Sequence, residues 1–175
     1  MSETKKRTEQ LLEIIDGAIS LERNAKHFYR GMSEEIFDPD AKEMLFMMSD
    51  FEEGHELELF RKRLELLTEL GLADENLPRV SIDREQSEVK LHPMSAPGEL
   101  TVEGILLFGI EIEKRAKKYY EDKLAEVTDP DIRKLLLDLI REEEGHARIL
   151  TRQLEGIDVS GFIKDMQDLE DEISH

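Results

Sequence analysis

The sequence has no cysteine. That excludes a disulfide, a thiolate metal site and a Cys-x-x-Cys redox pair. Positive charge is scarce as well: 24 Lys and Arg stand against 42 Asp and Glu, a formal net charge of −18. Such a balance argues against general affinity for nucleic acid or for an anionic membrane surface. Long apolar runs are also missing. The opening stretch "MSETKKRTEQLLEIIDGAIS" carries a basic cluster, but Glu13 and Asp16 interrupt the apolar residues behind it. Neither a signal peptide nor a membrane span is expected, and the cytoplasm is the default compartment.

With ten glycines and five prolines in 175 residues, and hydrophobic and charged residues nearly equal at 39% and 38%, the composition suits one helical domain with solvated outer faces. The pattern inside it is a repeat. Glu-Glu-Gly-His occurs at 52–55 and again at 143–146, a shift of 91 residues. The same shift lays "ISLERNAKHFY" (19–29) over "IEIEKRAKKYY" (110–120) and Asp38-Pro39-Asp40 over Asp129-Pro130-Asp131, with no gap from Ile19 to Arg61. Registration over that length reads as two copies of one supersecondary unit.

Each unit reads as an antiparallel helical hairpin. Residues spaced alternately four and three apart form a bundle seam: Leu11, Ile15, Ala18, Glu22, Ala25, Tyr29 and Met32, then Ala41, Leu45, Met48, Glu52, His55, Leu59 and Lys62. The second unit gives Val102, Leu106, Gly109, Glu113, Ala116 and Tyr120, then Ile132, Leu136, Leu139, Glu143, His146 and Leu150. Asp38 and Asp129 are expected N-caps with proline behind them, and Gly71 and Gly156 expected helix stops. The expected fold is therefore all-α: a four-helix bundle of two duplicated hairpins (about 8–70 and 99–155), a long crossover (about 72–98) and a short fifth helix (about 160–173), all in one domain covering 1–175.

Every seam is interrupted near its middle by ionisable residues: Glu22, Glu113, and the pairs Glu52/His55 and Glu143/His146. An i, i+3 pair shares one helix face, and antiparallel packing brings the four interruptions to one level. Four carboxylates gathered in a core lose hydration and repel, at several kcal/mol per ion. Two divalent cations offset that, with two neutral imidazoles completing the shell. One Glu from each of two helices and Glu-x-x-His from the other two is the ligand pattern of di-metal carboxylate bundles. The donors suit iron or manganese alike. The alternative is a bundle that keeps a buried hydrogen-bond network and no metal.

These segments, "LERNAKHFY … EEGH … IEKRAKKYY … EEGH", resemble the ferritin-like superfamily, and among its members the rubrerythrin-type di-iron proteins. The resemblance covers about 10–70 and 99–155. It implies two iron ions bridged by Glu52 and Glu143, with Glu22 and His55 completing one site and Glu113 and His146 the other; manganese would take the same ligands. It also implies that Tyr29 and Tyr120 hydrogen-bond metal ligands. The implied activity is a non-haem di-iron oxidoreductase, a peroxidase reducing hydrogen peroxide or dioxygen. The family's four-cysteine iron site is absent, so electrons would come from an external rubredoxin-like protein or reductase. The chain departs from the family at Ile110, where a further carboxylate is usual; Glu111, two residues before Glu113, is expected to point elsewhere. Other readings are a ferroxidase handling iron and a di-iron monooxygenase. A homodimer through the crossover or fifth helix is expected.

The remaining motifs receive plainer readings. Glu53 and Glu144 turn off the seam toward the surface, and His27, His92 and His175 have no counterpart in the other unit. Arg61, Lys62 and Arg63 read as a solvated face, and the Met-rich "EMLFMMSDF" as core. Gly54 and Gly145, each placed before a candidate ligand, are expected to leave room beside the metals or to admit another backbone.

Overall fold

The computed structural model describes residues 3–72 and 101–156. Four helices account for nearly all of them: α1 (Glu3–Glu35), α2 (Pro39–Glu69), α3 (Val102–Glu126) and α4 (Pro130–Leu154). Two three-residue turns, 36–38 and 127–129, join α1 to α2 and α3 to α4. Both end in an aspartate that caps the next helix. The Asp38 carboxylate accepts from the Ala41 amide at 2.8 Å, and Asp129 accepts from the amides of Asp131 and Ile132 at 3.1 Å. Pro39 and Pro130 then occupy first-turn positions where a missing N–H leaves nothing unpaired. Gly71 and Gly156 follow the last turns at φ 71°, a left-handed conformation that suits glycine. Thr101 caps α3 through a bond to the Gly104 amide at 3.1 Å.

Two apolar clusters fix the helix directions. One gathers Tyr29 and Ile36 of α1 and its turn, Ala41 and Met44 from the start of α2, Leu106 from the start of α3, and Leu150 from the end of α4. The other gathers Leu11 and Ile15, Leu59 and Leu66, Tyr120, and Ile132 and Leu136. So α1 and α4 run one way, and α2 and α3 the other. The end of α2 and the start of α3 lie at opposite ends of the bundle, so these two helices do not form a hairpin. The expected crossover and fifth helix, with His92 and His175, lie outside the described residues.

The seams are buried as the spacing predicts, with Met32, Val102 and Lys62 only partly covered. Arg63 departs from the solvated face expected of it. It is buried, and its Nε donates to Asp16 of α1 at 2.5 Å, because an arginine stem can lie across apolar surface while the guanidinium reaches a partner. Among the described residues no helix is long and apolar enough to cross a membrane.

Candidate metal centre

Between the two apolar clusters lies a polar layer. All six seam-interrupting residues are within it: Glu22, Glu52, Glu113, Glu143 and His55 are 1–3% exposed, and His146 is fully buried. The level expected from antiparallel packing is realised. They resolve into two four-residue groups, Glu22/Glu52/His55/Glu143 and Glu52/Glu113/Glu143/His146, each with its ligand atoms within 4.8 Å of one another.

The shared members divide their oxygens between the groups. Around His55 Nδ1 stand Glu22 Oε2 at 3.2 Å, Glu52 Oε2 at 3.6 Å and Glu143 Oε1 at 3.7 Å. Around His146 Nδ1 stand Glu52 Oε1 at 3.3 Å, Glu113 Oε2 at 3.3 Å and Glu143 Oε2 at 3.6 Å. Glu52 and Glu143 thus present one oxygen to each side. The two imidazole rings face each other with centroids 5.3 Å apart and planes 20° apart.

The electrostatics of this layer suit a bound cation. Burial, and then the neighbouring Glu143 and Glu52 charges, push the Glu22 carboxyl well above the usual range. Burial, with Glu52 and Glu113, does the same to Glu143. Burial also acts to raise Glu52, but the His146 and His55 rings beside it outweigh that and leave the carboxyl low. Burial opposes the charged form of both histidines, yet the surrounding carboxylates outweigh it and hold both rings well above their ordinary pKa. Protons thus balance the acids that a pair of divalent cations would balance more fully. The fit is visible atom by atom. Glu52 Oε1, Glu113 Oε2, both Glu143 oxygens and both His146 ring nitrogens are buried and make no hydrogen bond among the described residues. Unsatisfied buried donors and acceptors are rare unless something else partners them.

Two tyrosines cross the bundle. Tyr29 of α1 donates to Glu113 of α3, and its hydroxyl lies 3.3 Å from the Gly109 carbonyl. Tyr120 of α3 donates to Glu22 of α1. Each hydroxyl, two turns beyond the carboxylate of its own helix, serves the carboxylate of the other hairpin, because α1 and α3 run antiparallel. Burial, then Glu113, keep the Tyr29 phenol protonated by raising its pKa.

No protein-family model, curated protein or solved structure matches the chain. The assignment of the centre rests on its own geometry.

That geometry includes a residue the seam argument passes over. Glu142 is 3% exposed, and its Oε2 lies 2.5 Å from His55 Nε2. The position 91 residues earlier is Phe51, whose ring stacks on His146 at 5.2 Å. A mismatch of charge and apolar character between repeat positions beside a histidine is the signal in the sequence. Ile110 is buried in an apolar cluster, and Glu111 is exposed and paired with Arg115, so Glu111 stands away from the centre as expected. Glu53 and Glu144 are exposed, and so is His27. Of the two glycines expected to leave room, Gly54 is exposed and a Cβ there would have nothing within 4 Å, whereas Gly145 is buried in α4.

Proposed function

We propose that the chain is a ferritin-like di-metal carboxylate protein of the rubrerythrin type, assembled from two duplicated hairpins. Glu22 and His55 would hold one divalent ion and Glu113 and His146 the other, with Glu52 and Glu143 shared. The observation that carries this reading is the division of the Glu52 and Glu143 oxygens between the two histidines. An isolated buried ion-pair network has no need of that division.

Iron is the metal the resemblance favours, and a bound ferrous pair would deliver two electrons to a small oxidant such as hydrogen peroxide or dioxygen. The chain's own residues do the rest. The apolar clusters above and below the layer exclude bulk water. The Tyr29 and Tyr120 hydroxyls hold the Glu113 and Glu22 carboxylates in one orientation. Glu142 fixes which nitrogen of His55 faces the centre, since a proton on Nε2 leaves the Nδ1 lone pair directed inward. With no cysteine in the chain, reducing equivalents would come from a separate donor, a rubredoxin-like protein or a reductase. A homodimer belongs to the same reading.

Anaerobic titration with ferrous iron tests it. Two equivalents should bind, and hydrogen peroxide should then oxidise both in one rapid stoichiometric step. Protein that takes up no metal, or ferrous protein inert to peroxide, overturns the proposal.

A further inference from the structure

The two hairpins differ where they flank the centre. On the α1–α2 side Glu56 is buried, and it clamps two cations of α1: Lys26 Nζ at 2.5 Å and Arg23 Nε at 2.6 Å. This triad fills the space between the helices one turn beyond Glu52. Shifted by 91 residues, Arg23 becomes Lys114, Lys26 becomes Lys117, and Glu56 becomes Ala147. Both cations persist on the second side; the acid that would clamp them does not.

In its place α3 and α4 enclose an open groove of about 300 Å³ whose lining includes Glu113, Glu143, Lys114, Lys117, Ala147 and Arg148. The floor of the groove thus reaches one residue of the centre from each helix, with the Glu113 and Glu143 carboxylates buried just beneath it. Its rim is basic on a chain whose net charge is −18. Arg152 also lines it. The one acid in the lining besides Glu113 and Glu143 is Glu144, which pairs with Lys117 at 3.4 Å. Lys114 and Arg148 make no ion pair among the described residues, and both are exposed. Four basic side chains thus face a single exposed acid, and a locally basic cleft concentrates anions and speeds their arrival.

We infer that the α3–α4 groove is the entrance to the centre and that it selects small inorganic anions, while the Glu56 triad seals the α1–α2 side. The inference rests on the di-metal reading and names the class of ligand that reaches it. Ala147 is the determinant: its methyl group leaves open what a carboxylate would close, by drawing Lys114 and Lys117 together as Glu56 draws Arg23 and Lys26.

Azide is the probe. Metal content is measured first, then azide association with the metal-loaded protein is followed by absorbance in stopped flow at several salt concentrations. Association should slow as salt rises. Ala147→Glu and the surface change Arg148→Glu should each slow it about tenfold at low salt, with metal content unchanged in both variants. Arg148→Glu carries the test if Ala147→Glu fails to fold. Two bound metals with azide association indifferent to salt and to both substitutions would overturn the entrance and leave the metal centre standing. A protein that binds no metal overturns both.

Discussion

Glu142 places Oε2 2.5 Å from Nε2 of His55, and among the described residues nothing equivalent stands behind His146. The counterpart position is Phe51, which offers His146 a ring face instead of a charge. Two candidate ion positions with the same inner residues are therefore unequal. A carboxylate behind a ligating imidazole makes it a stronger base and fixes its orientation, and removing one weakens metal binding by about 10- to 100-fold. Glu142→Gln should thus weaken one of two binding steps by that factor and leave the other nearly unchanged. Calorimetric titration with ferrous or manganous ion separates the steps. Equal losses at both, or none at either, would count against the asymmetry.

The tyrosine pair predicts a different pattern. Tyr29 and Tyr120 tie α1 to α3 through Glu113 and Glu22, so each ring couples the two hairpins at the level of the centre. Tyr29→Phe keeps the buried ring and removes the donor, leaving a buried carboxylate one bond short, at about 2 kcal/mol. Tyr120→Phe should do the same, and each variant should also lower the metal content through the ligand carboxylate that it releases. Denaturant melts of metal-loaded protein check the loss, and elemental analysis checks the content.

The reach of the sequence follows from what each feature depends on. A helix seam depends only on spacing, so the six ionisable residues, their burial and their common level were readable before any coordinates. The aspartate caps were readable for the same local reason. Contacts between side chains of different helices off the seams were not. Glu142 lies one residue before Glu143, off the seam, and reaches His55 only because α2 passes beside α4 there. Arg63 lies buried because Asp16 of α1 stands opposite it, a pairing across 47 positions that no local pattern encodes. The tyrosines could be located on their helices, but their partners depended on α1 and α3 running antiparallel. Gly54 misled because its repetition beside a candidate ligand suggested crowding, whereas its Cα faces open space.

Metal-free protein should lose stability as pH rises through neutrality. His55 and His146 are held above their ordinary value of 6.5 in the folded chain, so the folded state binds more protons than the unfolded one above that point. Their contribution is complete below about pH 6.5 and lost as pH climbs through the raised folded values. Glu22 and Glu143, also raised, act with the same sign. Glu52, lowered, acts oppositely, but its contribution disappears only on acidification below the ordinary carboxylate range. Metal binding needs neutral imidazoles and ionised carboxylates, so metal uptake should release protons and tighten with pH. Thermal melts of chelator-treated protein between pH 6 and 9, beside melts of loaded protein, should diverge. Metal-free protein more stable at pH 8.5 than at pH 6.5 would contradict the assignment.

Two mid-helix glycines give opposite expectations for the same substitution. At Gly54 a Cβ meets nothing within 4 Å, so Gly54→Ala removes backbone freedom from the unfolded chain without a clash and should stabilise by about 0.5–1 kcal/mol. At Gly109 the added Cβ would stand 3.1 Å from Leu150 Cδ1 and 3.1 Å from Tyr29 Cε1. Both neighbours are fully buried, so neither side chain yields easily, and overpacking of that kind destabilises by about 1–3 kcal/mol. The strain also has a direction. It presses on the tyrosine that donates to Glu113, so Gly109→Ala should additionally disturb the half of the centre built on Glu113 and His146, while Gly54→Ala leaves metal binding alone. Denaturant melts with metal titration of both variants decide the matter. A stabilised Gly109→Ala protein with unaltered metal affinity would show that Tyr29 has slack at this contact.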